Sequence, residues 1–218
     1  MNCRSALHAF SMIDQRLRLP DFHPLNADIE SLPVQGYSPA TKRWRPIPAA
    51  VLVALVLDEQ PHILLTVRNQ AMARHGGQVA LPGGRAEPGE AFPVATALRE
   101  ASEEVGLDPA AVELLGLLDR FDTITGYRIS PVVGVVREAP RWQACPQEVA
   151  QIFGLPLDSV FDPSSFRRHE IRRGGSTHEA WTMKSGCRPI WGATAAILRC
   201  LAAAPTPARS TRASHRGA

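Results

Sequence analysis

An α/β sandwich around a mixed β-sheet is the fold class this 218-residue sequence predicts, and three observations predict it. Apolar, β-branched runs of strand length recur at residues 51–57, 62–68, 112–118 and 129–136. Two stretches, residues 93–105 and 194–202, carry the periodicity and length of helices. Strands and helices interleave without a repeated strand–helix–strand unit, so a purely parallel sheet is not expected.

The elements follow in order. Residues 51–57 read as a strand, Asp58-Glu59-Gln60-Pro61 as a turn, and residues 62–68 as the returning strand. The helix over 93–105 is closed by Gly106, the residue type that best adopts the left-handed conformation past a last turn. The first 45 residues combine a short helical pattern (6–19) with Pro20, Pro24, Pro33 and Pro39, continued by Pro46 and Pro48, and read as a wrapping or loosely ordered arm. Residues 203–218 hold Ala, Pro, Ser, Thr and Arg but no large apolar side chain, and read as a disordered basic tail. The expected organisation is therefore an arm (1–45), one folded domain (46–202) and a tail (203–218).

Composition excludes several function classes. The formal charge of +3 is matched by Arg209, Arg212 and Arg216 in the acid-free tail, which leaves the remainder balanced. A nucleic-acid footprint needs basic residues gathered on a folded face, so no nucleic-acid partner is expected. Cys3, Cys145, Cys187 and Cys200 form no CxxC pair or metal-ligand spacing, which favours reduced thiols and a cytoplasmic setting. The start lacks a continuous apolar segment of secretory type, and the longest apolar run, 49–57, is too short to span a bilayer. No membrane role is expected.

Chemistry concentrates on the first helix. At 100° per residue, Glu100, Glu103 and Glu104 fall within an arc of about 100°, while Val94, Leu98, Ala101 and Val105 form a separate stripe expected to be buried. Three acids on one turn repel one another, and a hard divalent cation relieves that repulsion. A solvated acidic face is the alternative. Against it stand Leu81-Pro82-Gly83-Gly84, a turn that gives Cβ-free backbone for close approach to a ligand, and Gly106, which ends the helix directly after the acids. Arg99 lies beside Glu103 and could orient it. No Gly-Lys-Ser/Thr element of P-loop type is present.

These residues resemble the Nudix hydrolase signature, GX5EX7REUXEEXGU with U aliphatic. Gly84 and Glu90 fit its first part, and Arg99-Glu100-Ala101-Ser102-Glu103-Glu104-Val105-Gly106-Leu107 its second. The segment between Glu90 and Arg99 is one residue longer than the signature, a feature of the coenzyme A pyrophosphatase subgroup. That subgroup carries an upstream motif close to LLTxRSxxLRxHxGQVxFPGG, and residues 64–84 read LLTVRNQAMARHGGQVALPGG. Asn69, Met72, Ala73 and Leu81 depart; Ala73 replaces an arginine, with Arg74 adjacent. Residues 125–136, 148–157 and 190–198 are also similar to that subgroup, so the resemblance spans about 51–202.

The resemblance implies an α/β/α Nudix sandwich that splits coenzyme A or its thioesters into 3′,5′-ADP and 4′-phosphopantetheine or its acyl form. It implies Mg²⁺ or Mn²⁺ held by Glu100, Glu103 and Glu104, with Glu100 and Glu103 counted as catalytic. Such a cation would offset the pyrophosphate charge and acidify a bound water. Glu148 reads as a further ligand or the base, or else as a surface acid. Arg68 reads as a phosphate contact or a strand-end surface arginine, and His75 as a substrate contact or a loop cap. Gly83 and Gly84 would approach substrate. Arg172 and Arg173, with Arg167 and Arg168 before them, form the densest basic cluster, which would hold the 3′-phosphate or simply be solvated. Glu87 and Glu90 read as structural.

Two other readings stay open. One keeps the chemistry with another nucleoside diphosphate derivative, such as ADP-ribose or a dinucleotide, as Ala73 allows. The other is a non-catalytic nucleotide-binding regulator, whose mark would be loss of the helix acids. Family resemblance also allows a homodimer, although no exposed apolar seam marks one.

Overall fold

The computed structural model describes residues 22–37, 44–72, 75–138, 140–173, 176–186 and 188–203. The helical pattern over 6–19 and the tail from residue 204 lie outside them, as do Ala73, Arg74, Gly174 and Gly175.

A nine-stranded sheet is built around β2 (Ile47–Val56) and β8 (Tyr127–Val136), which pair in parallel from Ile47↔Tyr127 to Val56↔Val136. On the far side of β8 come β7 (Arg120–Asp122) and then β1 (Val34–Gly36), with β6 (Val112–Leu117) also pairing β8. Beside β2 lie β3 (His62–Arg68) and β4 (Val79–Ala80), while β9 (Val149–Pro156) adds to β3. The first half of β2 pairs instead with β5 (Gly83–Arg85), through Ala49↔Arg85, Ala50↔Gly84 and Val51↔Gly83. β2–β8 and β1–β7 are parallel and the other pairs antiparallel, so the sheet is mixed.

Alternation along β2 explains the layers. Ala50, Leu52, Ala54 and Val56 face helix α1 (Val94–Val105), which buries Ala97, Ala101 and Val105 against them. Val53, Leu55 and Leu57 face the opposite layer, formed by α2 (Leu157–Phe161), α3 (Gly192–Ala203) and a three-stranded sheet. Apolar residues at both parities are what a sheet covered on two sides requires. Each fully buried Leu or Val contributes about 1.5–3 kcal/mol.

The three-stranded sheet, β10 (Phe166–Arg173), β11 (Ser176–Met183) and β12 (Ile190–Trp191), places the basic cluster of Arg167, Arg168, Arg172 and Arg173 on a strand that the sequence did not predict. Its ladder from Phe166↔Met183 to Arg173↔Ser176 is a hairpin, invisible to hydrophobic patterning because most described β10 side chains face solvent.

Residues 22–37 belong to the folded body. β1 extends the sheet, Leu32 is buried, and the buried Arg120 donates to the carbonyls of Glu30 and Leu32 at 2.7 and 2.9 Å. Among the described residues no helix is long and apolar enough to cross a membrane.

Candidate active site

Two glycines let β5 lie close to its neighbours, Gly83 against β2 and Gly84 against α1. A Cβ on Gly83 would strike the Ala50 carbonyl and the Val51 backbone, and one on Gly84 would fall on the Glu100 carboxylate. Gly106 closes α1 at φ 70°, its N–H reaching the carbonyls of Ala101 and Ser102. The segment after β8 caps the same end, with Gln143 N–H donating to Val105 O and Cys145 N–H to Glu104 O, both at 3.0 Å. It then carries Glu148 to the end of β3, where Asn69 N–H donates to the Glu148 carbonyl at 2.8 Å.

Glu104 is the centre of this arrangement. Its side chain is 3% exposed, with Oε1 3.5 Å from Arg68 Nη1 and Oε2 accepting from Gly83 N–H at 3.3 Å. Burial pushes its carboxyl up to about 7, against the opposing pull of Arg68 and the Gly83 N–H; Glu100 and Glu148 push the same way as burial. Burial also raises Glu100, with Arg99 opposing and Glu103 and Glu148 adding. Glu100, Glu104 and Glu148 thus act on one another electrostatically, with burial outweighing the opposing charges of Arg68 and Arg99.

Arg99 organises the other side. It donates to Glu90 Oε1 at 2.6 Å, to Glu100 Oε1 and Glu103 Oε2 at 3.0 Å, and to the Arg85 carbonyl at 3.0 Å. Glu90 also accepts from Thr96 Oγ1 and from Glu87 N–H. The Arg99 guanidinium, followed by these two bonds, holds the Glu90 carboxyl down at about 2. Glu90 therefore braces the loop before α1. The Arg99–Glu103 contact agrees with helix spacing, but the wider Arg99 network was not anticipated. An arginine with acids at positions one and four beyond it, and another nine before it, was the available signal.

The helix-wheel expectation needs one correction. Glu104 lies with Ala97, Ala101 and Val105 on the buried face, not with Glu103, whose side chain is 59% exposed. A carboxylate on a packed face is stable here because Arg68 and Gly83 meet it, which a wheel drawn from sequence cannot show.

Glu100, Glu104, Glu148, Arg68, Gly83 and Gly84 are brought together, and Glu103 joins Glu100 through Arg99; His75, Arg172 and Arg173 lie apart. His75 (φ 60°) sits in an exposed turn, its Nδ1 2.9 Å from Gln78 Oε1. Arg172 and Arg173 end β10, in the layer opposite α1, and Arg172 is exposed.

Residues 46–172 match the family description "NUDIX domain", 127 residues that include every element of this recess. The chain belongs to the Nudix family. It is 42% identical over 154 residues to a protein of Enterobacter sp. (strain 638) described as the uncharacterized Nudix hydrolase NudL, covering 71% of this chain and 80% of that one. A NudL protein of Escherichia coli (strain K12) is 40% identical over the same coverage. Among solved structures, the C. elegans Ap4A hydrolase is 19% identical with a TM-score of 0.44, covering 50% of this chain and 80% of that one. The NUDIX domain of Shewanella oneidensis NrtR, complexed with ADP ribose, is 21% identical with a TM-score of 0.43, covering 57% and 80%. The protein is a Nudix hydrolase that acts on pyrophosphate linkages.

Hydrolases of the Nudix family generally need divalent metal ions. Among the described residues no three His, Cys, Asp or Glu side chains already converge into a cage. The donor chemistry nonetheless fits a hard cation: all-oxygen, anionic, largely shielded from water and mutually repulsive. Glu100 and Glu104 supply the recessed donors, and Glu103, linked to Glu100 through Arg99, supplies an exposed one at the rim.

Proposed function

We propose that this Nudix hydrolase cleaves the pyrophosphate bond of coenzyme A or its thioesters, giving 3′,5′-ADP and 4′-phosphopantetheine or its acyl form. The observation that carries the hydrolytic reading is the recess in which Glu100, Glu104 and Glu148 meet the Gly83–Gly84 turn and Arg68. The narrower substrate rests on residues 64–84 and on the lengthened segment between Glu90 and Arg99.

Glu100, Glu103 and Glu104 would hold Mg²⁺ or Mn²⁺, which offsets diphosphate charge and acidifies water. Glu148, half-buried and facing Glu100 and Glu104, takes the proton of the attacking water. Arg68 neutralises Glu104 and offers its remaining donors to a phosphate oxygen. Gly84 leaves the space that the Glu100 carboxylate occupies, and Gly83 presents its N–H to Glu104. The folded domain is assigned to 46–202, with residues 22–37 completing its sheet.

The alternative is the same chemistry on ADP-ribose or a dinucleotide, kept open by alanine at residue 73. Purified protein with Mg²⁺ or Mn²⁺ is to be offered coenzyme A, ADP-ribose, a dinucleotide and nucleoside triphosphates, with products identified by mass. Release of 3′,5′-ADP supports the proposal. Turnover of ADP-ribose without it overturns the substrate assignment.

A further inference from the structure

A second cavity, of about 310 Å³, opens beside the loop that leads into α1. Its walls include Trp44, Arg45, Phe92, Arg120, Arg128 and Ser130. Ser130 is 1% exposed, and its Oγ has no hydrogen-bond partner among the described residues. A buried hydroxyl of this kind points to a partner that the described residues do not supply.

Strand register places this hydroxyl relative to the recess. Ala50 pairs with Ser130 across β2–β8 and with Gly84 across β2–β5, so the three lie in one row. Directly paired residues project to the same face, and Glu100 occupies the space above Gly84 on that face. Two strand spacings separate Ser130 from Gly84, roughly 10 Å. That distance suits a ribose with its base extending from a diphosphate held near Glu100.

The lining is selective in charge. Arg120 is occupied by Glu30 and backbone carbonyls, and Arg128 makes two bonds to Asp122 while lying 5.6 Å from the Trp44 ring centre. Arg45 is exposed and makes no ion pair among the described residues, so its guanidinium is free for an anion. Trp44 and Phe92 add aromatic surface suited to a heterocycle.

We propose that this cavity receives the nucleotide end of the substrate: a purine ring against Trp44 and Phe92, a polar atom of the nucleoside on Ser130 Oγ, and a further phosphate on Arg45. The assignment rests on the reading that the substrate is a nucleoside diphosphate derivative. It gives Arg45 the role that sequence alone had offered to Arg172 and Arg173.

Calorimetric titration of the full chain without added metal tests it, using 3′,5′-ADP, AMP, 4′-phosphopantetheine and inorganic phosphate as probes. The wild type should bind 3′,5′-ADP more tightly than AMP, and Arg45→Gln should abolish that preference. Ser130→Ala should weaken both nucleotides about tenfold while its melting temperature stays level or rises, because an unpartnered hydroxyl is removed. Nucleotide affinities unchanged in both variants would overturn the pocket, even if coenzyme A is hydrolysed. Affinities lowered as stated would uphold the pocket, even if coenzyme A is not hydrolysed and only the substrate reading falls.

Discussion

Replacing Glu104 by Gln should stabilise the metal-free protein at pH 8 and leave it nearly unchanged at pH 4.5. The carboxyl stands at about 7 in the folded protein, against 4.5 for the free group, chiefly because it is buried. The folded chain therefore binds this proton more tightly than the unfolded chain does. Ionisation costs nothing below about pH 4.5, an increasing amount between 4.5 and 7, and its full amount above 7. A difference of about 2.5 pH units corresponds to about 3 kcal/mol, and for a domain of this size to roughly 6–12 °C in melting temperature. Gln keeps the shape and an acceptor for the Gly83 N–H without the charge. The assay is thermal or urea unfolding of both proteins with chelator, from pH 4.5 to 8.5, read as the difference between them. Taking that difference cancels groups such as Glu90, which titrates at lower pH. Added Mn²⁺ should raise the melting temperature of the wild type at pH 8 and that of Glu104→Gln far less. A pH-independent difference, or a variant less stable at pH 8 than at pH 4.5, would refute the account of Glu104 as a charge held at a cost.

Three further outcomes follow from the geometry. Gly84→Ala, whose Cβ would fall on the Glu100 carboxylate, should lower turnover by about a hundredfold with the far-ultraviolet circular dichroism unchanged; full activity would show that Glu100 need not hold this position. Glu148→Gln should lower kcat by about 10²–10⁴-fold with KM little altered, whereas an unchanged kcat would deny Glu148 the role of base. Gly106→Ala forces a side chain into φ 70° and towards Gln143, and should cost about 1–2 kcal/mol in urea unfolding; a neutral result would mean that the cap relaxes freely.

Much of this was legible in the chain. The strand over 62–68 coincides with β3, and the predicted helix over 93–105 with α1 to within one residue. Both carry strong local signals: β-branched apolar residues in one, and helical periodicity ending in glycine in the other. β10 and β11 were missed because their stability comes from pairing with each other, and their exposed charged residues leave no apolar alternation to read. Glu100 and Glu104 were recognisable by spacing, but their inequality was not. Burial of one face is settled by what packs on it, and Arg68 comes from a strand 36 residues away.

By itself, then, the sequence determined the chemistry on offer: a carboxylate-rich helical turn, a Pro-Gly-Gly approach to it, and a family of pyrophosphate hydrolases to which both belong. Local periodicity and residue type carry that information, because they act within a few residues. Tertiary structure decided which carboxylate is buried, that Arg99 gathers Glu90, Glu100 and Glu103, that the Arg172 hairpin lies in the layer away from α1, and that Ser130 shares a row with Gly84. Each of these depends on strand register and on the pairing of distant segments, and the electrostatic environment of a charge is set only once those neighbours are in place.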